Sequence, residues 1–200
     1  MNNMMNRFSD MDALRDACGD CCACPLHETR NNVVFGVGNH RSPILIVGEG
    51  PGEQEDLQGV PFVGMAGQLL DNMLKLIGLD RTKLYIANIV KCRPPRNRDP
   101  LVEEQDACKY WLDEQLRLMQ PKIILCLGRV AAQRMIRQDF KITKEHGQWF
   151  RRGDVRLMAI YHPSALLRDE RKRPETFADL REFRRVVREC YPELYAEGEQ

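Results

Sequence analysis

The sequence predicts a parallel α/β fold in which one sheet lies between two layers of helices. Three observations carry this. Short apolar runs recur at 44–47, 84–90, 123–127 and 155–161, and continuous runs of that length read as strands buried on both faces. Segments with apolar residues at helical spacing lie between them, and strands alternating with helices build a parallel sheet. The first run, Ile44-Leu45-Ile46-Val47, leads straight into Gly48-Glu49-Gly50-Pro51-Gly52. In an open parallel sheet, ligands bind just beyond the carboxyl ends of the strands, so a site is expected at 49–62.

The elements follow in order. Residues 1–17 give a polar start and a short amphipathic helix with Phe8, Met11, Leu14 and Ala17 on one side. The turn at 48–52 is not a dinucleotide fingerprint: its third glycine comes too early and no helix-starting pattern follows at once. It is not a P-loop either, because no Gly-Lys-Ser/Thr follows. What sets it apart is Glu49, Glu53 and Glu55 beside glycines, then Pro61-Phe62-Val63-Gly64. A carboxylate at a strand tip and an aromatic held between Pro and Gly make a pocket wall.

Residues 66–77 carry Leu69, Leu70, Met73, Leu74 and Ile77 at helical spacing, and Gly78 ends the helix. The strand at 84–90 delivers Asn88 near its carboxyl end, then Lys91-Cys92-Arg93-Pro94-Pro95, where prolines forbid further strand. Val102–Met119 reads as a long helix carrying Cys108, with Trp111, Leu112, Leu116 and Met119 as its core face. Ile123–Leu127 is the third strand, and Gly128 turns into a helix near 130–136. Residues 149–150 and 155–161 read as a hairpin and the fourth central strand, which ends in His162-Pro163-Ser164. Residues 177–190 form a terminal helix. The 200 residues suit one domain, 1–200, with its core at about 21–190.

The formal net charge is +1, so total charge does not announce a nucleic-acid partner. The distribution is uneven: Lys91, Arg93, Arg96 and Arg98 form one basic run, and Arg168, Arg171, Lys172 and Arg173 another. Local basic patches can follow a phosphate backbone. No stretch is long and apolar enough to span a membrane, and no apolar leader opens the chain. A cytoplasmic monomer is expected. Of eight cysteines, Cys18, Cys21, Cys22 and Cys24 cluster, and Cys92, Cys108, Cys126 and Cys190 follow. Without a secretory signal a disulfide framework is not expected; clustered thiols suggest a metal or an iron–sulfur group. Cys126, inside an apolar strand, reads as a core thiol.

Three strand ends converge on one edge, bringing Glu49, Asn88 and His162 beside Phe62. A carboxylate, an amide and an imidazole next to an aromatic can read a flat polar ring, since Asn offers a donor and an acceptor at once.

These residues resemble a known family. Gly48-Glu49-Gly50-Pro51-Gly52, Asn88 with the Lys91-Cys92-Arg93-Pro94-Pro95 that follows, Asn97-Arg98, and His162-Pro163-Ser164 are similar to the motifs of the iron–sulfur uracil-DNA glycosylases, family 4. The resemblance runs from about Cys21 to Arg168. It implies a four-stranded parallel sheet between helices and removal of uracil from single- or double-stranded DNA by a monofunctional hydrolase. It implies a [4Fe–4S] cluster held by Cys21, Cys24, Cys92 and Cys108. Cys18 and Cys21 form a competing pair, but Cys24 stands at the family's distance from Val33-Val34-Phe35-Gly36. Cys18 and Cys22 are then spare and expected to tolerate serine. Zinc is the rival metal, since four thiolates suit it as well.

By the same resemblance Phe62 stacks on the flipped base, Asn88 binds its O4 and N3 edge, and His162 donates to O2. Backbone groups of Gly50 and Gly52 assist, and Glu49 or Asn97 orients a water or steadies the sugar. Leu167 and Arg168 form an intercalating loop. Because an apolar pocket discriminates one methyl poorly by attraction, a steric wall against the thymine methyl is expected from the turn Gly52–Glu55, with Glu55 its leading side chain. The better-known cluster-free relatives carry Asp where this chain has Gly50, and no Arg-Arg-Ile-His insertion that would mark covalent DNA capture is present. Two other classes use some of the same residues. A non-catalytic, metal-stabilised nucleic-acid-binding module needs the cysteines and basic loops but not Glu49, Phe62, Asn88 and His162 at strand ends. A redox protein needs a partner site that the sequence does not offer.

Overall fold

The computed structural model describes residues 8–195. The polar start at 1–7 lies outside them. The strands are β1 (Val37–Gly38), β2 (Ile44–Gly48), β3 (Tyr85–Asn88), β4 (Ile123–Leu127), β5 (Trp149–Arg152) and β6 (Val155–Ile160). The helices are α1 (Met11–Gly19), α2 (Glu53–Gln58), α3 (Met65–Leu76), α4 (Val102–Met119), α5 (Gly128–Met135), α6 (Ile142–Glu145), α7 (Pro163–Arg168) and α8 (Arg173–Cys190).

The strands form one mixed sheet in the order β1-β3-β2-β4-β6-β5. The inner pairs β3–β2, β2–β4 and β4–β6 are parallel, and β1 and β5 add antiparallel edges. The four-stranded sheet expected from the sequence is thus six-stranded. The hairpin expected at 149–161 is present, with β5 pairing antiparallel to β6 and so adding an edge strand. β1 went unseen because it is two residues long and shows no apolar run.

Side chains of the inner strands alternate between two cores. Ile44 and Ile46 pack with Leu70, Leu74, Phe183 and Val187 of α3 and α8. Leu45 and Val47 pack with Leu14, Leu112 and Ala131 of α1, α4 and α5. Both sets are fully buried, which is why the strand reads as an unbroken apolar run. From β2 the chain moves outward to β3, then crosses back to β4 on the other side of β2. Strand order therefore reverses at β2, and the crevice opens beyond its carboxyl end.

Several local readings are corrected. α2 follows the glycine turn directly, where no helix was expected. Gly52 caps it, and Glu55, three residues on, accepts the Gly52 N–H at 3.1 Å, a capping box without a side chain at its first position. The segment after His162, expected as a loop, is the short helix α7. α8 begins at Arg173, earlier than 177, with Pro174 in its first turn. Phe8 precedes α1 and packs on Trp111, ring centroids 6.3 Å apart. Among the described residues, no helix is long and apolar enough to cross a membrane.

Cys18 is also corrected. It is fully buried in the same core as Leu14 and Cys126, because α1 turns its apolar face onto α4, and burial pushes its thiol up to about 12. Serine there would bury a hydroxyl where a thiol now packs. Cys18→Ser and Cys126→Ser are each expected to cost about 1–3 kcal/mol, and exposed Cys22→Ser less than about 0.5 kcal/mol. Urea midpoints of the three variants check this; equal midpoints for Cys18→Ser and Cys22→Ser would refute it.

Candidate active site

A cleft of about 510 Å³, open to solvent, lies beyond the carboxyl ends of the inner strands. It gathers the residues that the sequence singled out at strand ends and turns: Glu49, Gly50, Gly52, Glu55, Phe62, Asn88, Asn97, Arg98, His162 and Arg168.

Gly48, at the tip of β2, sits under two of these residues, Asn88 and Phe62. A β carbon there would overlap Asn88 Oδ1 and lie 2.6 Å from Phe62 Cζ. Glycine at the tip of β2 therefore lets an amide from β3 and an aromatic ring close over the strand end. Asn88 is 1% exposed, and its Oδ1 has no hydrogen-bond donor among the described residues. A buried acceptor left unpaired is costly.

Phe62 stands at φ 55, an unusual backbone region for a bulky residue. Two sets of contacts hold it there. Arg81, paired with Asp71 at 2.7 Å, donates to the Pro61 carbonyl at 2.9 Å and to the Phe62 carbonyl. On the other side, Glu55 Oε1 accepts the Val63 and Gly64 N–H groups at 2.9 and 2.8 Å. The Glu55 carboxylate thus latches the start of α2 to the Phe62 corner.

His162 caps α7. Its Nδ1 accepts the Ser164 backbone N–H at 3.1 Å and lies 2.8 Å from Ser164 Oγ. A backbone N–H can only donate, so Nδ1 carries the lone pair and the neutral ring holds its proton on Nε2. Burial, with Arg168 nearby, lowers the His162 pKa to about 4. The ring centroid is 5.7 Å from that of Phe62. Burial and the neighbouring Asp99 carboxylate raise Glu49 to about 7, against the pull of Arg129 and Arg168. Asn97, at φ 55, accepts Arg93 Nε at 2.8 Å on the rim.

The basic residues divide. Arg93 lies 3.7 Å from Glu53, Arg98 grips Glu104 through two bonds of 2.6 and 2.8 Å, and Arg96 is exposed at φ 56. Leu167 is exposed, whereas Leu166 belongs to the core. Lys91 does not belong with them. It is 1% exposed, and its Nζ donates to the Asn88 carbonyl at 3.0 Å and Gln115 Oε1 at 2.6 Å. Burial lowers it to about 8. The chain turns inward there, with the Lys91 carbonyl accepting Val34 N–H at 2.8 Å, so Lys91 cannot reach DNA. Asp99 and Arg129, which sequence reasoning passed over, also line the cleft. Their position beside Asn97-Arg98 and directly after Gly128 was the available signal.

A second pocket lies on the α1–α4 side. Cys21, Cys24, Cys92 and Cys108 line it together with Cys18, Arg30 and Trp111. Donors point at three of the sulfurs: Trp111 Nε1 to Cys21 at 3.1 Å, Lys91 N–H to Cys108 at 3.2 Å, and Arg30 Nη1 to Cys92 at 3.4 Å. Burial pushes the Cys24 and Cys92 thiols up, and Cys108 to about 11. Among the described residues, no three His, Cys, Asp or Glu converge as ligands of one metal ion.

Residues 35–187 match the family model of the uracil DNA glycosylase superfamily. A type-4 uracil-DNA glycosylase of Archaeoglobus fulgidus is 43% identical over 185 residues, covering 88% of this chain and 92% of its own. The chain belongs to the type-4 uracil-DNA glycosylases. A type-4 enzyme of Thermotoga maritima is 42% identical over 190 residues, covering 93% of both chains. A type-5 uracil-DNA glycosylase of Pyrobaculum aerophilum is 32% identical over 146 residues, 64% of each. The superfamily match contains the whole cleft, while Cys21 and Cys24 lie ahead of it. A β carbon at Gly50 would lie 2.8 Å from Val90 Cγ2, so a larger residue there requires the Val90 side chain to shift.

The His162 geometry sets a pH expectation. Its folded pKa is depressed below the ordinary 6.5, so its contribution to stability is present above pH 6.5 and is lost as pH falls toward 4. In ¹⁵N spectra of imidazole-labelled protein, His162 should stay neutral with Nε2 protonated from pH 8 down to about 5. A titration midpoint near 6.5 would show that the ring is not desolvated.

Proposed function

We propose that this glycosylase flips uracil out of DNA and hydrolyses its N-glycosidic bond, leaving an abasic site. The observation that carries the reading is the unpaired, buried Oδ1 of Asn88 beside the Phe62 ring. Uracil donates at N3 and accepts at O4, so it would give Oδ1 its missing donor and take a bond from Nδ2. Cytosine presents the reverse pattern and would leave both groups mismatched. A non-catalytic nucleic-acid module gives no reason for this acceptor or for a carboxyl held near neutrality beside it.

A base inside a duplex must leave the stack to be reached. Phe62 would stack on it, and the Glu55 latch gives the C5 side a fixed wall. As the glycosidic bond breaks, charge collects on uracil, and the His162 Nε2–H would donate to O2, an interaction that strengthens as the charge develops. Glu49, near pKa 7, suits a group that takes a proton from water at neutral pH; Asn97 would steady the water or the sugar. Arg93, Arg96, Arg98 and Arg168 would follow the phosphates, and exposed Leu167 would fill the vacated stack.

Cys21, Cys24, Cys92 and Cys108 fit a [4Fe–4S] cluster. The four thiols share one pocket, and a cube takes one thiolate at each corner; zinc, which also takes four thiolates, is the rival. The three N–H···S donors are the kind that tune such clusters. When bound, the cluster supplies a cross-link between the N-terminal segment, the loop after β3 and α4. Lys91 and Arg30 would bracket it with positive charge.

Incubation with a uracil-containing oligonucleotide, followed by alkaline cleavage at abasic sites, tests the function. His162→Ala should lower the single-turnover rate by about two to three powers of ten, the range for losing one preorganised donor. Affinity should change much less, since phosphate contacts dominate it; a near-parent rate would remove His162 as the O2 donor. Protein prepared without oxygen should contain iron and sulfide. Stoichiometric zinc without iron would replace the cluster by a single-ion site.

A further inference from the structure

β1 covers β3 only opposite Tyr85 and Ile86. Asn88, the last residue of β3, lies beyond the end of that ladder. A buried backbone carbonyl past the end of a ladder needs another donor. The side chain of Lys91 supplies it, folding back three residues so that Nζ donates to the Asn88 carbonyl at 3.0 Å. The Phe35 carbonyl, ahead of β1, is likewise taken by a side chain, Gln115 Nε2 of α4, at 3.0 Å. The two side chains join, since Nζ also donates to Gln115 Oε1 at 2.6 Å. Gln115 Nε2 reaches Tyr85 Oη as well, at 3.3 Å. Lys91 and Gln115 are each 1% exposed, and Nζ stands over the Phe35 ring, 5.9 Å from its centroid. Where strand pairing stops, a buried side-chain bridge continues it. Asn88 is thus held between β2, which it meets at Gly48, and the Lys91 ammonium. The backbone N–H of Lys91 is committed elsewhere, to Cys108 Sγ at 3.2 Å. Its main chain serves the thiol pocket and its side chain serves β3.

We propose that Lys91 is a positioning residue for uracil recognition: its ammonium, braced by Gln115, fixes the end of β3 so that the Asn88 amide meets the edge of the flipped base. The inference rests on the reading of Asn88 as the group that binds uracil N3 and O4. It adds that the placement of that amide is set by a residue that touches neither base nor DNA. Placement decides such a contact, because a shift of about 1 Å at a reacting site costs about a hundredfold in rate. A lysine suits the task. Its long stem reaches back along the chain, and its ammonium brings three donors, of which the Asn88 carbonyl and Gln115 take two.

The test is single-turnover excision from a uracil-containing oligonucleotide in a double-mutant cycle of Lys91→Met and Asn88→Ala, with metal content and oligonucleotide affinity measured alongside. Lys91→Met removes the donors but keeps an unbranched stem and the backbone bond to Cys108. Its rate should fall by about ten- to a hundredfold, while affinity changes by less than about threefold, since phosphate contacts dominate binding. Metal content should match the parent. In the Asn88→Ala background the same substitution should lower the rate by less than about twofold more, because residues that act through one another are not additive. Gln115→Met should repeat the pattern with a smaller loss, and it carries the cycle if Lys91→Met does not fold. Losses that multiply in the double variant, or a rate that falls in step with metal content, would make Lys91 a structural residue and overturn the proposal. A parent rate for Lys91→Met beside a slow Asn88→Ala overturns the role of Lys91 and leaves the reading of Asn88 standing. If Asn88→Ala excises uracil at the parent rate, the reading of Asn88 fails and the proposal falls with it.

Discussion

The tip of β2 has no room for a β carbon, and much of the surrounding structure follows from what closes over it. Gly48 lets Asn88 and Phe62 meet at the strand end. That meeting requires Phe62 to turn through a left-handed backbone conformation, which is sustained only when neighbours over-determine it. Arg81 and Glu55 do so from opposite sides. Gly67 completes the corner, since a β carbon there would overlap the Phe62 carbonyl. Short-range strain is thus held by contacts that reach from α2 through α3 to the loop before β3.

A second line of contacts ties the thiol pocket to the cleft. Lys91 follows the Asn88 strand and precedes Cys92. Its ammonium bonds the Asn88 carbonyl and Gln115, and Gln115 Nε2 donates to the Phe35 carbonyl at 3.0 Å. A buried ammonium without a carboxylate partner is stable only when its donors are satisfied. Disturbing the thiol pocket would be felt at the backbone that presents Asn88, although the two sites share no side chain that touches substrate.

The inner strands were legible because they are buried on both faces, which leaves long apolar runs as a signature. The cleft was legible because glycines, Asn88 and His162 fall at the ends of those runs. What escaped was short or depended on three-dimensional neighbours. β1 is two residues long and has no apolar run, and of β5 only the first half, 149–150, was legible, because it ends in exposed Arg151 and Arg152. α2 is capped by a glycine whose carboxylate partner lies three residues on. Lys91 sits in a basic run, and nothing in its spacing says that the chain turns inward there. Cys18 looked spare because its burial depends on α4, far along the sequence. Asp99 and Arg129 meet only because the loop after β3 reaches the start of α5.

The two edge strands bear on how copies of the molecule behave beside one another. An open sheet presents unpaired N–H and C=O groups along its margins, and a long flat margin invites another chain to add a strand. Here one margin is the two residues Val37 and Gly38, and the other ends in the exposed pair Arg151 and Arg152. The first is too short to template a ladder, and the second would set like charges against each other in an antiparallel copy. The parallel strands that carry the chemistry are thereby kept in the interior, shielded from the self-association to which apolar strands of this composition are prone.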